Sequence, residues 1–507
     1  MSASPDPYAQ GEQGPARARG QAPSRGSAPP PGAPGAPDPR YANADLLPAD
    51  SGEFRWHWWD FAAVWVCVSW SLAHLMLSGM PGQDRFSWQQ TLLICGIAQL
   101  LVLLPSFLVE HAGDRYGVPF AVFARSAFGI RGAALPAMLR FASACVWFGF
   151  QADLAVQGLL LLAAGDDSSD FGGFVGPAFL VFVGLQLWII TKGPNGLRVF
   201  ANLAAPVLIL GLLVTYLRVY AYPEGPMLPA PERPIGWGAD FWTAAAPALA
   251  SATALFAAVG LTVPDLVHLG GARRRAERTG SGPRPGVAGL LALVMTGTLL
   301  YTMALVSGSG YESGSGPLVR HALGDMPGGT LLAAVMLLVA TLCTNLGMNL
   351  VSAAYDLSST VPSLLRFRGA AVVAALVGSA VVWQTRDTGD YPVLEWADTV
   401  EGFFGTVSGI LVAEYWVVRR TRLRPAELYR RGGPYWYAGG WNWRAVVAFL
   451  AGGVLAVGGA GEDPPLPFLA PLDAYGWLVG LIVSGGLYTA LTLRARATAA
   501  TAAPAGG

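Results

Sequence analysis

Residues 135–164 read LPAMLRFASACVWFGFQADLAVQGLLLLAA, a nearly unbroken apolar run with Gln151 and Asp153 near its middle. About 20 such residues cross a hydrocarbon core ~30 Å thick, so the run reads as a membrane span, longer than needed and therefore tilted. The whole chain agrees. Of 507 residues 53% are hydrophobic and 13% charged, with a mean hydropathy of +0.44. Soluble domains carry about 25% charged residues, and a surface this poor in charge needs lipid to cover it.

Working outward, similar runs recur at 61–80, 91–110, 171–191, 199–220, 241–263, 287–307, 330–353, 370–383, 394–418, 443–459 and 474–492. The predicted fold class is therefore all-α integral membrane, with about twelve transmembrane helices over 51–493. Residues 1–50, rich in Pro, Gly, Ala and Ser and without a signal-peptide core, read as a disordered tail, as do 494–507.

Arginine placement orients the spans. One set of loops carries Arg115, Arg125 and Arg131, then Lys192 and Arg198, then Arg273, Arg274, Arg275, Arg278 and Arg284. Arg366, Arg368 and the cluster from Arg419 to Arg431 continue the set, while the opposite loops hold acids such as Asp166, Asp167, Asp170, Glu462 and Asp463. By the positive-inside rule the chain is a multi-pass protein of the cytoplasmic membrane with both termini cytoplasmic, which requires an even number of spans.

Acidic and basic residues balance at 32 each, so charge implies no nucleic-acid partner. The four cysteines (Cys67, Cys95, Cys145, Cys343) sit inside apolar runs, and the five histidines are scattered, so neither a disulfide framework nor a metal cluster is suggested. No P-loop, HExxH or GxSxG motif appears. Asp153, His74 and Glu401 fall on three different spans with no nucleophile motif, so no enzyme is expected.

Polar residues inside a span are costly and mark function by default. Trp147 and Gln151 are four apart and share a helix face, as do Asn345 and Asn349 beside Thr344. An indole next to a primary amide suits a planar heterocycle, the ring stacking while the amide pairs with the solute's own amide edge. Helix–helix packing explains the same residues about as well. Asp153, a carboxylate near mid-membrane, is expected to bind a cation, exchange a proton or pair with a base.

Several segments resemble the nucleobase–cation symporter-1 family: NADLLP at 43–48, RYGVPFAVFARSAFGIRGAALPAMLRFASACVWFGFQ at 115–151 and VPD at 263–265. TNLGMN at 344–349, EYWVVRR at 414–420 and Leu428-Tyr429 continue the likeness, which runs from about 43 to 445. It implies a LeuT-like fold of two inverted five-helix repeats (about 61–220 and 241–418) plus two C-terminal helices (about 443–492). It implies a monomeric symporter, without cofactor, that imports a cytosine, purine, uracil, allantoin or hydantoin class solute by alternating access. A vitamin-like heterocycle such as thiamine, or a non-transporting sensor with the same pocket, are the alternatives.

Carried over by position, the resemblance implies Trp147 as stacking ring and Gln151 and Asn349 as solute amides. It implies Phe256, with Leu255 beside it, where the hydantoin transporter of the family has a second tryptophan, and Ser71 where that transporter has a glutamine. A sodium site is implied at Cys67, Trp70, Ala340, Cys343 and Thr344, with a thiol at Cys343 in place of a serine hydroxyl. Sodium prefers oxygen, so Na+ coupling at this site and H+ coupling through Asp153 both stand.

Overall fold

The computed structural model describes residues 37–48, 56–70, 85–164, 173–220, 233–254, 257–271, 285–306, 323, 326–385, 392–461 and 463–502. These residues are helical throughout their ordered elements. In chain order they form α1 (Trp58–Ser69), α2 (Trp88–Tyr116), two short helices α3 (Phe120–Phe123) and α4 (Arg125–Phe128), α5 (Ala134–Ala164), α6 (Val175–Thr191) and α7 (Pro194–Tyr220). Then come α8 (Ala239–Ala254), α9 (Ala257–Gly270), α10 (Pro285–Val306) and α11 (Gly329–Thr344), a π-helical turn (Asn345–Leu350) and α12 (Val351–Thr360). The chain closes with α13 (Phe367–Thr385), α14 (Pro392–Val412) leading into a second π-helical turn (Ala413–Val418), α15 (Trp443–Val457) and α16 (Gly476–Ala502). Where they are described, the apolar runs read from the sequence are largely helical; 71–80 and 171–172 lie outside the described residues, and 241–263 is divided between α8 and α9. Among the described residues, five stretches are long and apolar enough to cross a membrane by length and composition, among them Trp88–Tyr116 and Gly329–Thr360.

Local chemistry explains the boundaries. Ser87 and Gln90 exchange side-chain and backbone hydrogen bonds in a capping box that starts α2, and Gly117, at φ +65°, ends it in the left-handed region that suits glycine. Gly149 of α5 and Gly378 of α13 stand backbone to backbone, where a Cβ on either would collide with the other helix. Small residues permit this close crossing, which is a common way to join helices where lipid gives no hydrophobic drive. α1 packs on α10, α7 and α11, while α5 packs on α11, the first π-turn, α12 and α13.

The described parts of both tails, 37–48 and 494–502, are ordered where the sequence reads as disordered, while 1–36, 49–50 and 503–507 lie outside the described residues. Residues 37–48 lie along the helices: Asn43 Nδ2 donates to Ser358 Oγ and to the carbonyls of Pro362 and Leu365, and Leu46 is buried. Polar side chains distant in sequence hold this stretch, so its composition alone could not reveal it. At the other end α16 continues to Ala502, past residue 493. Its extension is rich in alanine, the best helix former, and Arg496 donates to the Val418 carbonyl at 2.9 Å.

Candidate functional site

At the junction of α5 and the first π-turn, three buried amides meet. Asn345 donates from Nδ2 to the Phe148 carbonyl of α5 at 3.0 Å. Asn349 donates from Nδ2 to Asn345 Oδ1 at 2.6 Å and lies 3.5 Å from Gln151 Oε1, the long limit of a hydrogen bond. The wider π-turn inserts an extra residue into the helix, a device frequent at functional sites. Gln151 and Asn349, both anticipated from the sequence, are thus brought together across 198 residues. Trp147, one turn before Gln151, is buried, with its ring edge-on to Phe150 at 6.0 Å and packed with Val146 and Val382. Phe256, Leu255, Ser71 and His74 lie outside the described residues, and Glu401 falls on α14.

The residues expected to hold a cation also converge. Thr344 Oγ1 donates to the Cys67 carbonyl at 3.1 Å, which joins the end of α11 to the end of α1. The Trp70 backbone N–H reaches the same carbonyl at 3.1 Å. The Cys343 thiol faces the Cys67 thiol, and Ala340 is buried on the preceding turn. Two oxygen groups stand where a hard cation could use them, next to two soft sulfurs. Among the described residues no group of three His, Cys, Asp or Glu is placed to hold a metal ion.

Asp153 leaves α5 in a different direction from Gln151. Two residues on an α-helix are about 200° of rotation, so its carboxylate leaves α5 on the face away from Gln151. It is fully buried, and its Oδ2 accepts a hydrogen bond from Gln157 Nε2 one turn on.

A third polar cluster was not read from the sequence. Arg140, 2% exposed on α5, pairs with Asp356 of α12 at 2.8 Å and with Asp265 of α9 at 2.5 Å. It also donates to the Leu261 carbonyl, and its guanidinium sits 4.0 Å from the Phe120 ring centroid. The Phe120 N–H completes Asp265 at 2.8 Å. A lone arginine inside an apolar run was the available signal. Arg125, counted as a loop charge, is likewise buried: it donates to the carbonyls of Tyr41 and Leu428 and to Ser359. Burial lowers its pKa to about 10, still cationic at neutral pH.

Comparison with known proteins settles the family. The model for a permease for cytosine/purines, uracil, thiamine and allantoin matches residues 50–480. The chain belongs to this family. As a member it is a membrane transporter, not an enzyme. It is 27% identical to an allantoin permease of Bacillus subtilis, over 89% of this chain and 93% of that one. It is 28% identical to a purine-uracil permease of Arabidopsis thaliana, over 83% of this chain and 72% of that one. Mhp1, a nucleobase-cation-symport-1 family transporter solved in a closed conformation with bromovinylhydantoin bound, shares its fold. The TM-score is 0.72 at 23% identity, covering 90% of this chain and 96% of that structure. The family member's fold is therefore that of an all-helical membrane transporter.

Proposed function

We propose that this permease imports a planar heterocycle with an amide edge, held between α5 and the first π-turn and driven by a cation gradient. The observation that carries the reading is the meeting of Gln151 and Asn349, two buried amides from distant helices, with Trp147 one helical turn before Gln151. Amides offer both a donor and an acceptor, the complement of a nucleobase or ureide edge. The relatives' names, an allantoin permease and a purine-uracil permease, fall in the same chemical class.

In this reading about twelve spans, in a LeuT-like arrangement of two inverted repeats plus two helices, cross the cytoplasmic membrane with both termini inside, and the chain acts as a monomer. Phe256, Leu255 and Ser71, outside the described residues, are proposed as further solute contacts from the family resemblance alone. Sodium binds at the ends of α1 and α11 through the carbonyls of Cys67, Trp70 and Ala340 and the Thr344 hydroxyl. Cation binding favours the conformation that accepts solute from outside, and coupling is that difference in affinity between two conformations. The rotation of Asp153 away from the amide face favours this sodium route over a proton carried by Asp153.

Radiolabelled uptake of cytosine, uracil, a purine, allantoin, hydantoin and thiamine tests the reading, with and without sodium and with a protonophore. One planar lactam or ureide should be accumulated, and Gln151→Ala and Asn349→Ala should each reduce its uptake by about tenfold or more while the protein still reaches the membrane. Normal uptake by both variants would show that the solute lies elsewhere. Collapse of uptake by the protonophore, with no sodium response, would reverse the choice of ion.

A further inference from the structure

Gln151 and Asn349 each commit one amide atom inside the protein, and which atom they commit is dictated from deeper in the core. The order starts at the Phe148 carbonyl, which can only accept. Asn345, fully buried, must aim Nδ2 at it and so turns Oδ1 away. That oxygen takes Asn349 Nδ2, and Gln151 Oε1 lies on the same nitrogen. The orientation of Asn349 follows from that of Asn345, so the assignment of O and N is not a free choice at either, and Gln151 turns Oε1 toward the same nitrogen at 3.5 Å. Two atoms are left over, Asn349 Oδ1 and Gln151 Nε2. Neither bonds a described residue, and neither is among the enclosed polar atoms that lack a partner. Gln151 and Asn349 keep 7% of their surface exposed, whereas Asn345 keeps none.

We propose that Asn345 is a positioning residue that fixes this polarity and so makes the pocket selective for a ring edge with one N–H donor beside one carbonyl acceptor. The solute's N–H meets Asn349 Oδ1 and its carbonyl meets Gln151 Nε2, the pattern of a ring lactam or ureide. An edge with two adjacent acceptors places oxygen against oxygen at Asn349 and is rejected, because a buried polar group left unpaired costs far more than a lost contact. Asn345 touches no solute; it acts through Asn349. The inference rests on the reading that Gln151 and Asn349 hold the solute.

The test is equilibrium binding of radiolabelled 2-pyridone to the full-length protein in lipid nanodiscs, with unlabelled 2-pyridone or 2-pyranone as competitor. The two rings have nearly the same shape, but the second has a ring oxygen in place of N–H. The intact chain should prefer 2-pyridone by about tenfold or more. Asn345→Leu frees the Asn349 amide to rotate, and the preference should shrink towards equality. Asn345→Asp, as a neutral acid, can donate to the Phe148 carbonyl and accept from Asn349, and should retain the preference. A merely structural role would lower the amount of active protein without changing the ratio. Equal displacement by the two rings in the intact chain, or no binding of 2-pyridone, overturns the proposal without any variant. If Gln151→Ala and Asn349→Ala bind 2-pyridone as the intact chain does, the site itself is misplaced. If those two lose binding while Asn345→Leu keeps the full preference, the site stands and the positioning role falls.

Discussion

Arg140 and Gln151 lie on the same helix, about 16 Å apart along its axis, and their polar surroundings are opposite in kind. Around Arg140 the hydrogen bonding is closed: two carboxylates, a carbonyl and an aromatic face satisfy the guanidinium, and a backbone N–H completes one carboxylate. Around Gln151 it is open, with one amide atom committed on each of Gln151 and Asn349 and one left to face the site. Burying polar groups is expensive in both places, but only the second leaves a remainder that a solute can complete. The closed cluster ties α5 to α9 and α12; the open one is where the proposed solute would bind.

The contrast can be broken most forcefully at Arg140. Arg140→Met leaves Asp265 and Asp356 buried without their cation, which costs about 3–5 kcal/mol, so thermal unfolding in detergent should shift markedly downward. Gln151→Met in the same assay should leave the unfolding temperature nearly unchanged. Equal shifts for the two would erase the distinction between the regions. Gly149→Val comes next, because its side chain meets the Gly378 backbone: a loss of about 1–3 kcal/mol in stability is expected, with reduced uptake because α5 carries Gln151.

A smaller effect sharpens the comparison at the cation residues. Cys343→Ser replaces a thiol by a hydroxyl beside Thr344 and should raise the sodium stimulation of uptake several-fold, about the value of one good oxygen ligand. An unchanged sodium response would remove position 343 from the cation's path. The smallest effect is at the half-buried Asn43, whose Nδ2 serves three acceptors. Asn43→Ala should cost about 1 kcal/mol, read as a small loss of thermal stability and faster proteolysis before α1.

How much of this was legible differs from residue to residue. Gln151 could be found because an amide in an apolar run has no cheap explanation, and Trp147 because it sits one turn away. Asn345 and Asn349 read as one ordinary helical turn, and their spacing gave no sign of the π-turn or of the direction in which each amide points. Asp153 is near Gln151 in number yet on another face, because helix rotation, not sequence distance, sets proximity. Arg125 belongs to a loop by position but to the core by burial, held by groups 84 and 303 residues away.

By itself the sequence determined the membrane class, the positions of the apolar runs and the residues costly enough to need a reason. These are sums and periodicities along the chain, and the energy of placing apolar surface in lipid is local and additive. Only the tertiary structure decided which polar groups satisfy one another and which keep an atom uncommitted. A hydrogen bond between residues nearly two hundred positions apart depends on how helices cross, and the crossing of α5 and α13 turns on a pair of glycines whose significance appears only when their backbones meet.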